Sequence, residues 1–464
     1  MGVGTRKSLP LIVKYQVSSI KIENYKLKTE NSFYLCEKIK IMLQVNYIRE
    51  NREKVLERLS VRNFKQPELV DQIIKIDEER RSTQTSLDAI SAEANAAAKQ
   101  IGDLMRAGKK EEAEAVKAQT ASHKENVKRM GEKLTELETA QFNLLVQLPN
   151  LPHDQVPVGT TPEENLTVYT HGSPAELLPN ALPHWELAAK YDIIDFELGV
   201  KITGAGFPVY KGKGARLQRA LINFFLDQAI EAGYNEVQVP HLVNAASGFG
   251  TGQLPDKEGQ MYHATVDDLY LIPTAEVPVT NLYRDVILKE EDLPIKNTAY
   301  TPCFRREAGS YGAHVRGLNR LHQFDKVELV QITHPDHSYQ TLEDMSSYVQ
   351  SLLQKLGLHY RVLLLCGGDM GFGSAMTYDM EAWSGAQGRW LEVSSVSNVE
   401  TFQSNRSKIR FKGATGKTQL VHTLNGSALA LPRIVASILE NYQTEHGIKI
   451  PEVLVKYTGF DMIN

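Results

Sequence analysis

The run Phe304-Arg305-Arg306-Glu307-Ala308-Gly309-Ser310 leads into a polar loop holding Gly312, Arg316, Gly317 and Arg320, and the chain continues as Leu321-His322-Gln323-Phe324-Asp325-Lys326-Val327-Glu328. Apolar stretches on either side of a glycine-punctuated cationic segment predict a strand, a loop and a second strand. Arginine suits phosphate through its planar fork of donors, and a strand fixes where that fork points. Taken alone, such a cluster is more often a solvated charged hairpin. What argues for a site is that arginines, carboxylates and an aromatic recur there at defined offsets.

Working outward, strand-like runs separated by Gly/Pro punctuation occur at 236–239, 269–272, 297–304, 324–332, 360–365, 390–395 and 408–411, with helical stretches at 215–231, 336–356 and 428–442. Several strands follow one another with no helix between them. That order predicts an α+β domain over 185–464 with a mainly antiparallel sheet flanked by helices. Toward the N-terminus, seven of the 19 prolines fall between Pro149 and Pro183. They are expected to end the preceding helix and to exclude regular structure, so 149–184 reads as a linker.

Before that linker, Leu69, Ile73, Ile76, Arg80, Thr83, Leu87, Ile90, Ala94, Ala97, Ile101 and Leu104 follow an unbroken 4,3 alternation. After Ala107-Gly108 the pattern resumes through Ala113, Val116, Thr120, His123, Val127, Met130, Leu134, Leu137, Gln141, Leu144 and Leu148. Two heptad seams joined by a short turn predict an antiparallel helical hairpin, a coiled-coil arm within a domain over 42–148. At 1.5 Å per residue each helix should reach roughly 55 Å, so the arm projects. His123 sits on the seam with no second His or Cys at helical spacing, which reads as a core histidine and not a metal ligand.

With 464 residues, 42% hydrophobic and 23% charged, the chain has enough apolar surface for two or three cores. Fifty-two basic and 56 acidic residues give a net charge of -4. This excludes a wholly basic nucleic-acid-coating protein and leaves room for a local nucleic-acid site. No apolar run approaches the length that spans a bilayer, so no membrane partner is expected. Cys36, Cys303 and Cys366 are far apart, with no CxxC. That spacing argues for a reducing compartment without a disulfide framework or zinc site. Residues 1–41 carry eight basic and three acidic side chains. They read as a disordered leader or an over-called start before Met42.

Gly413-Ala414-Thr415-Gly416-Lys417-Thr418 looks like a phosphate loop but fails on spacing, because Phe411 stands where the first glycine is needed. Gly371-Phe372-Gly373 and Gly248-Phe249-Gly250-Thr251-Gly252 lack the strand-then-helix setting of a dinucleotide fold.

The segment around Arg305 resembles motif 2 of class II aminoacyl-tRNA synthetases, and residues 42–464 as a whole resemble the bacterial seryl-tRNA synthetases. Gly214-Ala215-Arg216-Leu217 through Val239-Pro240 is similar to motif 1, a dimer-forming helix and strand, and Gly426-Ser427-Ala428-Leu429-Ala430-Leu431-Pro432-Arg433 to motif 3. Thr274-Ala275-Glu276, Phe324-Asp325-Lys326-Val327-Glu328, Glu392-Val393-Ser394-Ser395, His422-Thr423-Leu424-Asn425-Gly426-Ser427 and the hairpin follow in the same family's order.

The resemblance implies a cytoplasmic homodimer that forms seryl-adenylate from L-serine and ATP with Mg²⁺, then charges tRNA(Ser), and tRNA(Sec) where the host has one. It assigns Arg305 to the α-phosphate and serine carboxylate, and Arg433 to the γ-phosphate, as the catalytic pair. Arg306, Glu307, Arg320, Phe324, Glu392, Val393, Ser394 and Ser395 complete the ATP site, with Glu307 on the adenine amino group, Phe324 stacked on the base, and Glu392 and Ser395 on Mg²⁺. Thr274, Ala275, Glu276, Arg305, Glu328 and Ser427 form the serine site, with Glu328 against the ammonium. Lys99, Arg106, Lys109 and Lys110 around the arm's turn would meet tRNA phosphates, or merely keep the hairpin soluble.

This chain departs from the family pattern at Ala428 and Pro432, where glycine is frequent, at Met376 in place of lysine, and at Arg306 in place of serine. Two other readings stand beside the ligase: an amino acid:carrier-protein ligase, whose relatives lack the arm, and a non-catalytic RNA-binding paralogue, which would need a lost Arg305, Glu328, Glu392 or Arg433.

Overall fold

The computed structural model describes residues 44–307, 315–414 and 416–464. The leader 1–41, and Gly309, Ser310 and Gly312 of the cationic loop, lie outside the described residues. After α1 (Arg52–Val61), the helices α2 (Glu68–Arg106) and α3 (Lys110–Leu145) run where the seams predict. Every seam position from Leu69 to Leu104 and from Ala113 to Leu148 is at least partly withdrawn from solvent, while most of the described side chains between them are exposed. The turn works because Gly108, at φ +74°, takes a left-handed conformation that costs glycine little. At the arm's root, Val55, Leu59, Leu69, Ile73, Leu145 and Leu148 share a core with Val399 and Phe402 of the sheet domain.

That domain is built on an eight-stranded sheet of β1 (Leu166–His171), β2 (Asn235–Glu236), β3 (Ile295–Phe304), β4 (Gln323–Thr333), β5 (Tyr360–Leu364), β6 (Met376–Ser384), β7 (Arg389–Glu400) and β8 (His422–Ala430). Their spatial order is β1-β5-β6-β7-β8-β4-β3-β2, antiparallel throughout except for β2 against β3. The helices used below are α4 (His184–Lys190), α5 (Gly212–Glu231), α6 (Glu276–Asn281), α7 (Ser338–Lys355), α8 (Thr401–Ser407) and α9 (Leu431–Asn441). In α5 the buried Leu217, Leu221, Phe224, Phe225 and Ala229 recur at helical spacing, and in α7 Leu342, Met345, Val349, Leu352 and Leu353 do the same. Both stripes close on Val327, Leu329, Val396 and Leu424 in one continuous core. Each such leucine or phenylalanine contributes about 1.5–3 kcal/mol by burial. Among the described residues no helix is long and apolar enough to cross a membrane.

The structure corrects three expectations. The proline-rich stretch does contain regular structure, because the proline-free segment Leu166–His171 forms the edge strand β1 on β5. An edge strand needs a ladder on one side only. The same stretch is also pinned down: Asn150 donates from Nδ2 to the carbonyls of Gly373 and Val399 at 3.0 and 2.9 Å. Ala428 to Ala430 finish β8 instead of starting the helix, which begins at Leu431 with Pro432 in its first turn, where a missing N–H costs nothing. The strand expected over 236–239 ends at Glu236, although the Val237 N–H still reaches the Thr298 carbonyl at 2.9 Å.

Candidate functional site

The cationic loop and the centre of the sheet meet at a cavity of about 630 Å³. Its lining brings together Thr274, Glu276, Arg305, Glu307, Arg320, Phe324, Glu328, Glu392, Val393, Ser394, Ser395, Ser427 and Arg433, from segments up to 159 positions apart in the chain.

At the inner end the carboxylates are fixed by the sheet. Glu328 lies opposite Ser427 on β8 and Ala299 on β3. On β6 and β7 Asp379 lies opposite Ser395. Val396 faces Gly426 one step away, so the row continues from Asp379 through Ser395 and Ser427 to Glu328. A bulge where β4 meets β8, between Lys326 and Glu328, bends the strand at this point. Glu328 is 2% exposed, and its Oε2 takes the Lys326 ammonium at 2.5 Å and the Ser427 hydroxyl at 3.5 Å. Lys326 also donates to the Thr274 hydroxyl at 2.9 Å. Glu276, at the start of α6, accepts from Gln403 Nε2 at 2.5 Å and from Asn425 Nδ2 at 2.8 Å. Burial, then the neighbouring Glu328 charge, pushes the Glu276 carboxyl up to about 7.

The outer end is carried on loops and strand ends. The Arg305 guanidinium lies 5.2 Å from the centre of the Phe324 ring and donates from Nε to the Pro273 carbonyl at 3.4 Å. Glu307, at φ +47°, forms an ion pair with Arg320. Arg433 in the first turn of α9 donates from Nε to the Asn319 carbonyl at 3.0 Å and from Nη1 to the Glu392 carbonyl at 2.7 Å, with the Glu392 carboxylate 3.5 Å away. Burial, then the Glu392 charge, raises the Asp379 carboxyl well above the usual range. One of its oxygens is buried without a hydrogen-bond partner, and the Ser395 hydroxyl opposes the shift by bonding to the carboxylate.

Two residues named by resemblance are not brought to the cavity. Ala275 is fully buried in the core under α6. The Arg306 side chain is exposed and does not line the cavity, while its backbone N–H donates to the Gln260 carbonyl at 2.8 Å. Lys99, Arg106, Lys109 and Lys110 are exposed around the arm's turn, with Arg106 and Lys109 facing Asp103 and Glu112. Met376 is 1% exposed within the core, so it supplies no polar contact, and Ala428 is equally buried.

Sequence reasoning gave no role to Lys326, Gln403, Asn425 or Arg406, all of which line the cavity. The signal for Lys326 was present, because Phe324, Lys326 and Glu328 alternate onto one face of β4. Gln403 and Arg406 sit on the separate helix α8 and carry no such signal.

An antiparallel sheet in which a cationic loop joins the paired strands β3 and β4, with the arginine-bearing helix α9 beside it, is the core of a class II aminoacyl-tRNA synthetase, and residues 261–442 match the family model described as tRNA synthetase class II core domain (G, H, P, S and T). Residues 42–152 match that of the seryl-tRNA synthetase N-terminal domain. The chain is 52% identical over 424 residues to a serine–tRNA ligase of Salinibacter ruber, and 50% identical over 432 residues to one of Akkermansia muciniphila, in both cases covering 91% of this chain and 99% of the relative. Its fold is similar to the seryl-tRNA synthetase of Pyrococcus horikoshii crystallised with ATP, with a TM-score of 0.86 and 34% identity over 91% of this chain and 99% of that one. The chain therefore belongs to the seryl-tRNA synthetase family.

Proposed function

We infer that the cavity is where serine meets ATP, with serine at the inner end and the nucleotide at the outer end. The chain is a serine–tRNA ligase. The serine carboxylate attacks the α-phosphorus of ATP, pyrophosphate leaves, and the resulting seryl-adenylate gives its acyl group to the 3′ end of tRNA with release of AMP. The observation that carries the site reading is the buried Lys326–Glu328–Thr274 cluster opening into the same cavity as Arg305 and Arg433.

In this reading Glu328 holds the serine ammonium, and Thr274, Glu276 and Ser427 surround its carboxylate and hydroxyl. Arg305 neutralises the repulsion between the attacking carboxylate and the α-phosphate, Arg433 holds the γ-phosphate, Glu307 accepts from the adenine amino group, and Phe324 stacks on the base. Arg320 and the 392–395 segment complete the nucleotide site. No general base is required, since a carboxylate nucleophile is already ionised near neutral pH.

The Glu392 carboxylate and the Ser395 hydroxyl both line the cavity and are hard oxygen donors of the kind that suits Mg²⁺. Glu392 and Ser395 would hold the ion, which when bound offsets phosphate charge.

The arm would take the substrate tRNA(Ser), and tRNA(Sec) where the host has one, through exposed basic groups near its turn. We read 42–148 as the tRNA-binding domain, 149–184 as a connection that adds a strand to the sheet, and 185–464 as the catalytic domain. Dimerisation through α5 and its neighbours is supported by the exposed Val200 and Ile202 on the helix Phe196–Ile202. We read the enzyme as cytoplasmic, where its tRNA substrate is found.

Two variants test the reading. Arg305→Ala should reduce serine-dependent pyrophosphate exchange by about 10²- to 10³-fold. Exchange within about tenfold of the parent would remove Arg305 from the reacting centre. Replacing 70–142 with a short linker should leave exchange without tRNA nearly intact and abolish most charging, and near-parental charging would refute the arm's role.

A further inference from the structure

Behind the outer end of the cavity lies a polar cluster that the reaction does not use. The side chains of Glu440 on α9 and His184 at the start of α4 are both 0% exposed. Glu440 Oε1 accepts from the His184 backbone N–H at 3.0 Å, from His184 Nδ1 at 2.7 Å and from Gln387 Nε2 at 2.9 Å. Its other oxygen accepts from the Ser384 hydroxyl. Burial alone would raise this carboxyl, but the hydrogen bonds from His184 and Ser384 hold it below the usual range. With Nδ1 donating to a carboxylate, Nε2 of the neutral imidazole is an acceptor, and it takes the Leu318 backbone N–H at 2.8 Å.

Leu318 belongs to the returning stem of the cationic loop, and its neighbours are held by the same cluster. The Arg316 guanidinium sits 4.7 Å from the centre of the Trp185 ring. Gly317, at φ +67°, lies so close that an added Cβ would come within 2.3 Å of His184 Nε2. Asn319 donates from Nδ2 to Gln387 Oε1 at 3.0 Å, while its carbonyl receives Arg433 Nε at 3.0 Å. Arg320, next in the chain, pairs with Glu307. A buried carboxylate is costly unless fully hydrogen-bonded, and apolar side chains would fasten α4 to α9 without that cost. What the polar cluster supplies is direction, because each donor fixes one angle.

We propose that His184 and Glu440 are positioning residues for the nucleotide end: they set the place of the 316–320 stem and, through the Asn319 carbonyl, the aim of Arg433. The inference rests on the assignment of Arg433 and Glu307 to ATP. Serine binding, built on β4 and β8, is outside the reach of this cluster.

The test uses the full chain and two readouts. In His184→Ala, amide hydrogen exchange at Leu318 should accelerate by about tenfold or more, with the β6–β7 amides unchanged. In pyrophosphate exchange the KM for ATP should rise by about tenfold or more and the KM for serine stay within about twofold. Added to Arg433→Ala, the same change should cost less than it does in the parent, because part of its effect passes through the Asn319–Arg433 contact. Ser384→Ala, which removes one of four donors, should move the ATP KM in the same direction by less, and it carries the test if His184→Ala does not fold. An unchanged Leu318 amide, or equal shifts in both KM values, would overturn the proposal. A parental Arg433→Ala phenotype alongside a released Leu318 would instead refute the ATP assignment and leave the anchoring intact.

Discussion

The two ends of the cavity are made differently. At the inner end Thr274, Lys326, Glu328 and Ser427 are all less than a tenth exposed, and three of them stand on adjacent strands in a fixed register. At the outer end Arg320 and Glu392 are exposed, Arg433 is half-buried, and the ligand groups ride on a loop stem and the first turn of a helix. A strand row leaves a side chain almost no freedom, so in the proposed reading the inner end would discriminate between amino acids that differ by one hydroxyl. A loop leaves room for a large nucleotide to enter and for pyrophosphate to leave. The inner end should therefore respond to substitution sharply and in serine alone, and the outer end in graded steps and in ATP.

The largest effect should come from Glu328→Gln. It leaves the Lys326 ammonium buried without its carboxylate, a loss of roughly 3–5 kcal/mol, and should lower kcat/KM for serine by about 10²-fold or more with little change in the KM for ATP. A matching loss in ATP affinity would erase the difference between the ends.

Next in size is a pH effect confined to the inner end. The Glu276 carboxyl is pushed up to about 7 from an ordinary value of 4.5. Between those two values the folded chain keeps a proton that the unfolded chain has lost, so stability falls as pH rises and levels off above about 7. Glu276→Gln keeps an acceptor for Gln403 and Asn425 and has nothing to ionise. Its unfolding free energy relative to the parent, measured by denaturant titration of the ligand-free chain, should rise between pH 5 and pH 8 by an amount on the order of 2–3 kcal/mol. A constant difference across that range would contradict the burial argument.

Smaller still is Glu307→Ala at the outer end, where the partner Arg320 is half-exposed. The KM for ATP should rise by about tenfold or less, since part of the pair's energy is screened by solvent. Least of all, Arg306→Ser should keep exchange within about twofold, because the side chain is exposed and is not part of the cavity lining. A tenfold loss there would mean that the segment turns over when ATP binds.

The sequence read well where one stretch of chain carries the whole device. The arm was legible because a heptad seam is a local pattern, and both helices start and stop within a few residues of it. Arg305, Glu307, Phe324 and Glu328 were legible because strand alternation and motif spacing keep them together. Gln403, Asn425 and the His184–Glu440 cluster were not, since 256 positions separate the last two and only topology joins them. The edge strand β1 was hidden by the prolines on either side, which bar regular structure from their own positions and not from the six residues between. Ala428 to Ala430 read as helix because an apolar run before a helix start has no period of its own.

The most direct test is tRNA-independent exchange of pyrophosphate into ATP with serine, alanine and threonine as alternative amino acids. A rigid hydroxyl-binding inner end coupled to a nucleotide-binding outer end predicts rapid exchange with serine and a rate with alanine lower by about 10⁴-fold, because Ser427, Thr274 and Glu276 would be left with buried groups unpaired. Comparable exchange with serine and alanine, or exchange with serine only when tRNA is added, would contradict it.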